Sequence, residues 1–101
     1  MMAVKLQDRA AIARACERYG VARLRVFGSV LTDGFDPERS DIDFLVDYKP
    51  DAERTFQALF GLRAELERIV GLPVDLTDAR NVRNPYFAES AFGTAQDVYA
   101  A

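Results

Sequence analysis

The spacing of apolar residues changes period several times along the chain, and this alternation limits the possible folds more than any other feature. From Leu6 to Tyr19, the stripe Leu6, Ala10, Ala13, Cys16 and Tyr19, with Ile12 on its flank, predicts a helix that stops at Gly20. From Ala22 to Phe27, small or apolar residues alternate with arginine, as in a half-buried strand that ends at Gly28-Ser29. Thr32 to Ser40 is rich in Asp, Gly, Pro and Ser and reads as a loop. Ile42 to Val46 is an apolar strand. Pro50-Asp51 then breaks the chain before a helix from Glu53 to Val70, with Leu59, Leu62, Leu66, Ile69 and Val70 on its buried face and Gly71 as its stop. Pro73 to Thr77 predicts a third strand. Asn84-Pro85 opens a last helix, with Phe87, Ala91, Ala95 and Val98 facing inward. The order helix, strand, turn, strand, helix, strand, helix is that of an α/β (α+β) chain, a small mixed β-sheet covered by helices. With 101 residues and no repeat or linker, a single domain over 1–101 is expected.

Several kinds of chemistry are excluded by residue counts. There is no histidine, so no Ser-His-Asp triad, Cys-His pair or imidazole base can be built. The lone Cys16 can form neither an intrachain disulfide nor, without histidine, a zinc site of thiolate and imidazole ligands. It falls on the inner stripe of the first helix and reads as core. An enzyme of this composition must work with carboxylates, hydroxyls, amines or a bound hard cation. The net charge of −3 argues against direct nucleic-acid binding, which rests on neutralising phosphates. No stretch is long and apolar enough for a membrane span, and Met1-Met2-Ala3-Val4-Lys5 leads into no apolar signal segment, so a cytoplasmic location is expected.

The acidic residues are concentrated where they matter. Asp41 and Asp43 bracket Ile42 at the start of a strand, where side chains two apart share a face. Asp75, between Val74 and Leu76, likewise faces away from its apolar neighbours. If these strands are adjacent, three carboxylates converge. Such like charges repel and raise one another's pKa unless one is protonated or a cation is bound. An all-oxygen set suits Mg²⁺ or Mn²⁺, and Mg²⁺ typically takes one or two carboxylates and completes its shell with water and phosphate. Gly28 lets the backbone approach a phosphate, and Ser29 adds a hydroxyl donor. Each piece alone is ordinary: Asp-x-Asp occurs at solvated strand edges, and Gly-Ser ends many strands. Asp33, Asp36, Asp47 and Asp78 read as loop or turn residues.

The combination is specific. Val26-Phe27-Gly28-Ser29, eleven intervening residues, Asp41-Ile42-Asp43-Phe44-Leu45-Val46, a helix and then Val74-Asp75-Leu76 resemble the DNA polymerase β-like nucleotidyltransferase superfamily. More narrowly, they resemble its minimal nucleotidyltransferases, the MNT proteins. The Arg83-Asn84-Pro85-Tyr86-Phe87 stretch is similar to that family's last helix. The spacing to the first Asp is one residue longer than the commoner pattern, and Val30, Leu31 and Thr32 stand where many members carry a basic residue.

The resemblance implies the polymerase β-like nucleotidyltransferase fold and two-metal transfer of a nucleotide monophosphate, AMP from ATP or its counterpart from another NTP. On this reading Asp41, Asp43 and Asp75 are the catalytic and metal-binding residues for two Mg²⁺ ions, and Gly28 and Ser29 hold the outer phosphates. It also implies a partner, a HEPN-domain ribonuclease toxin that the MNT protein neutralises as antitoxin by modifying a tyrosine. The short chain, with little after Asp75 to bind an acceptor, is expected to meet its substrate as a partner in a hetero-oligomer. Two other readings compete. A non-catalytic antitoxin would neutralise its partner by direct contact, with vestigial aspartates; a nucleotidyltransferase with a small-molecule acceptor would need a further pocket.

Overall fold

The computed structural model describes residues 8–28, 36, 41–84, 93 and 95–101. Helix α1 (Arg9–Arg18) starts where the Asp8 carboxylate accepts the Ala11 N–H at 3.2 Å, a side-chain cap that satisfies one of the helix's free donors. The expected start at Leu6 lies outside the described residues. The buried stripe is Ile12, Ala15 and Cys16, with Tyr19 packed beside it. Ile12, expected on the flank, is therefore at the centre, and Ala10 is exposed. The reason is the volume of the isoleucine, which contributes far more apolar burial than alanine. The Cys16 thiol is pushed up to about 12, chiefly by burial and secondarily by the charge of Glu17, which fits a core residue. Gly20 turns the chain with φ +70, and a Cβ there would lie 2.8 Å from the Ala52 Cβ, so glycine is needed on both counts.

Strand β1 (Val21–Phe27) pairs antiparallel with β2 (Ile42–Tyr48), through a bulge between Val21 and Arg23. Helix α2 (Phe56–Val70) follows, capped by Thr55, whose hydroxyl accepts the Ala58 N–H at 3.1 Å. That cap, and not Glu53, fixes its start. Strand β3 (Val74–Asp78) then pairs parallel with β2, a pairing that requires a crossover, here supplied by α2. A single 3₁₀ turn, Ala79–Asn81, leaves β3. Strand β4 (Gln96–Ala100) closes the mixed sheet on the other side of β1, giving the order β3-β2-β1-β4.

Strand β4 corrects the sequence reading of the C-terminal segment. Val98, expected on the inner face of the last helix, is a buried strand residue next to the α1 core. Val98 is the buried residue of Gln96 to Ala100, and the edge of β1 supplies hydrogen-bonding partners that a helical period cannot foresee. Pro85 to Phe92, where that helix was expected, lie outside the described residues.

One face of the sheet, through Val21, Leu24 and Val26 of β1 and Ile42, Phe44 and Val46 of β2, packs on Ile12, Leu62, Leu66, Ile69 and Val70 of the two helices. The opposite face buries Phe27 and Leu45 against Ala79, Val82 and Ala95. The carboxylates that matter sit on this second face. Among the described residues no helix is long and apolar enough to cross a membrane.

Candidate nucleotide-transfer site

Pleating decides where the side chains of β2 point. Ile42, Phe44 and Val46 go to the helical core, so Asp43, Leu45 and Asp47 go to the other face. In the parallel pair, Asp43 stands in register with Asp75. In-register residues of neighbouring strands share a face, and strands lie only about 4.8 Å apart. Asp43 is also the register partner of Phe27, the residue before Gly28. The end of β1 and the starts of β2 and β3 therefore meet at one edge, as the sequence required if its acidic residues were to converge. Asp41 lies immediately before β2 and is exposed, Asp43 is half-buried, and Asp75 is exposed.

Gly28 is fitted closely to Asp43. Its φ of +82 is a backbone conformation that side chains disfavour, and a Cβ on it would lie 2.7 Å from Asp43 Oδ2. Any other residue would collide with that carboxylate. Ser29, the other residue expected to bind phosphate, lies outside the described residues.

Electrostatically, Asp43 is the strained member. Burial pushes its carboxyl above the ordinary carboxylate range, the charge of Asp75 raises it further, and that of Asp41 adds a third contribution. Asp43 thus feels both of the carboxylates named from the sequence. None of the three has a cationic side-chain partner among the described residues. By contrast, Asp47 binds Arg25 at 2.9 Å, Asp97 binds Arg23 at 2.7 Å, and Asp78 pairs with Arg54. Asp47 and Asp78, expected in loops or turns, are strand residues held by these ion pairs. Among the described residues, no group of three or more acidic or thiol side chains forms a ready-made metal site. The arrangement is a pair in register with a third carboxylate nearby, a set that leaves coordination positions for the oxygens of a bound phosphate.

An apolar wall adjoins the carboxylates. Phe27 and Leu45 are buried on the same face of the sheet as Asp43. The sequence carried this signal unused: Leu45 is two residues from Asp43 and must share its face.

Comparison with known proteins gives this edge a family. Residues 9–98 match the nucleotidyltransferase domain. A candidate protein adenylyltransferase of Methanocaldococcus jannaschii is 35% identical over 74 residues, 73% of each chain. A second from the same organism is 32% identical over 74 residues, 73% of this chain and 72% of the relative. The solved structure of a candidate minimal nucleotidyltransferase superposes with a TM-score of 0.71 at 34% identity, covering 89% of this chain and 88% of that one. A chain from the complex of the tri-AMPylated HEPN toxin of Shewanella oneidensis with its MNT antitoxin shares the fold, with a TM-score of 0.65 at 17% identity, over 96% of this chain and 73% of that one. With nearly its whole length matched by the family and curated relatives above 30% identity, the chain belongs to the nucleotidyltransferase domain family, and it is an enzyme of the minimal nucleotidyltransferase kind.

Proposed function

We propose that this enzyme moves AMP from ATP onto a hydroxyl of a partner protein, a tyrosine of a HEPN-domain ribonuclease toxin, and thereby acts as an antitoxin. The observation that carries the reading is the Asp43–Asp75 pair, in register, without a cationic partner among the described residues, and beside a glycine whose missing side chain leaves room for the Asp43 carboxylate. The names of the curated relatives support protein adenylylation, and the fold shared with a chain of a toxin–antitoxin complex supports the partner class.

The donor set fits a hard divalent cation. All its ligating atoms are carboxylate oxygens, and the raised Asp43 carboxyl marks negative charge that a cation would relieve. Asp41 and Asp43 would hold the ion that accompanies the triphosphate, and Asp75 would join Asp43 at a second. Two Mg²⁺ ions, when bound, supply neutralisation of the triphosphate and a lowered pKa for the acceptor hydroxyl. Gly28, through its backbone, and Ser29, through its hydroxyl, would hold the outer phosphates. Phe27 and Leu45 keep one side of the site dry, which strengthens the electrostatics at the carboxylates. In the transfer, the acceptor oxygen bonds to the α-phosphorus, the bond from that phosphorus to the bridging oxygen breaks, and pyrophosphate leaves. The hydroxyl proton passes to solvent.

The test is incubation of the chain with α-labelled ATP, Mg²⁺ and a purified HEPN-domain toxin. Label on a toxin tyrosine, release of pyrophosphate and loss of ribonuclease activity are expected, with no label from Asp43→Asn. Silencing of the toxin without label, and equally by Asp43→Asn, would make the chain a binding module. Label found only on a small molecule would assign a different acceptor.

A further inference from the structure

Strand β3 is an edge of the sheet. In the order β3-β2-β1-β4 it has a neighbour on one side only among the described residues. Its register decides which backbone groups remain on the other side. The Ile42 N–H donates to the Pro73 carbonyl at 2.9 Å, which fixes the parallel ladder between β2 and β3. In that ladder the backbone groups of Asp75 and Thr77 point to β2, and those of Val74, Leu76 and Asp78 point outward. The Glu67 carboxylate of α2 already accepts the Val74 N–H at 3.0 Å. The Leu76 N–H and C=O, in the middle of the strand, have no partner among the described residues.

The same edge borders the candidate site. Phe27, Asp43 and Asp75 stand in one row across β1, β2 and β3. A strand laid beside β3 extends that row by one place. Its residue opposite Asp75 shares the face of Asp43 and Asp75, about 4.8 Å from Asp75, whether the strand runs parallel or antiparallel. The next residue lies opposite Leu76 and turns to the helical face. There Leu76 lines a cleft of about 290 Å³ together with Tyr48 and Leu59.

We propose that the acceptor protein docks by adding an extended segment to the outer edge of β3, with its acceptor tyrosine opposite Asp75 and an apolar residue beside the tyrosine opposite Leu76. Resting on the protein-adenylylation reading above, this docking brings the hydroxyl to the carboxylate assigned to the ion that lowers its pKa. Main-chain bonds to Leu76 supply affinity, and the two alternating side-chain positions supply selection. A tyrosine within a helix has its backbone groups bonded along that helix and cannot make this pairing. The substrate class is therefore a tyrosine in an extended or unfolded segment.

Hydrogen exchange of the isotope-labelled chain, read amide by amide by nuclear magnetic resonance, tests this with a purified HEPN-domain toxin, Mg²⁺ and a non-hydrolysable ATP analogue. Toxin binding is expected to slow exchange of the Leu76 amide by about tenfold or more, and to change that of Asp75, already bonded to β2, far less. Leu76→Pro removes the outward N–H and no bond to β2. It should raise the KM for the toxin by about tenfold, with affinity for the ATP analogue unchanged. Circular dichroism reports whether this variant is folded, and the exchange measurement on the wild type stands without it. A toxin that binds and is labelled while Leu76 exchanges as before overturns the edge docking and leaves adenylylation standing. A folded Leu76→Pro with the wild-type KM for the toxin overturns it equally. A toxin neither bound nor labelled overturns the adenylylation reading, and the docking falls with it.

Discussion

Strands β2 and β3 present carboxylates at both of their ends, under opposite conditions. At their starts, Asp43 and Asp75 face each other in register with no arginine among the described residues to offset them, and Asp43 is driven toward its protonated form. At their finishes, Asp47 is held by a largely buried Arg25, and Asp78 pairs with Arg54 while also accepting the Arg80 N–H at 3.0 Å. The strands, the residue type and the sheet are the same; the difference is charge compensation. Where the carboxylates of these two strands serve the fold, an arginine accompanies them. Where the fold gains nothing, two like charges are kept together at a cost, and that cost marks the end where an outside cation and a phosphate are expected.

Substitutions at the two ends should separate these roles, and the largest effect belongs to the uncompensated end. Asp43→Ala or Asp75→Ala should lower nucleotidyl transfer on the order of a thousandfold, measured as release of labelled pyrophosphate. Asp47→Ala should leave turnover close to that of the wild type. Equal losses at the two ends would erase the distinction.

Gly28→Ala tests how closely the uncompensated end is built. The φ of +82 makes the new side chain cost about 1–2 kcal/mol of stability, read from denaturant melts. The Cβ also displaces the Asp43 carboxylate, so transfer should fall far more than stability does. An alanine variant with full transfer would show that the carboxylate tolerates displacement.

The compensated end should answer in stability instead. Asp47→Ala removes the 2.9 Å ion pair to Arg25, whose side chain is only 11% exposed, and should cost about 1–3 kcal/mol. Asp78→Ala also loses the cap on the 3₁₀ turn, but its partner Arg54 is more exposed than Arg25, and the change should cost about 1 kcal/mol.

A smaller effect of opposite sign is expected at Asp43 in the metal-free protein. Its carboxyl titrates higher in the folded state than in the unfolded chain. The folded state therefore holds the proton more tightly, and stability falls as pH rises from the ordinary carboxylate range through the folded pKa. Asp43→Asn removes that penalty. It should melt higher than the wild type above this window, and the gain should vanish in acid below it. A variant that melts lower at neutral pH would contradict the repulsion on which the account rests.

Much of this was legible in the sequence because the signals were local. The alternation around Asp41-Ile42-Asp43 gave the strand and the face of Asp43, and Val74-Asp75-Leu76 did the same for its partner. Adjacency of those strands was not local; it depends on α2 crossing over to place β3 parallel to β2. Strand β4 escaped the reading because Val98 fits either period, and the free edge of β1 decided between them. The centre of α1 was displaced because stripe counting treats alanine and isoleucine alike, whereas packing weights them by buried area. The ion pairs of Asp47 and Asp78 join residues more than twenty positions apart, beyond the reach of spacing arguments.

The claim at the centre is that the Asp43–Asp75 edge is a divalent-cation and triphosphate site. Its most direct test is the melting temperature of wild type and Asp43→Asn with Mg²⁺ and a non-hydrolysable ATP analogue, each alone and together. The wild type should be stabilised most by the two together, by mass action on the folded state, and Asp43→Asn should lose most of that shift. A wild-type chain indifferent to the pair, or an Asp43→Asn variant that shifts as much as the wild type, would contradict the account.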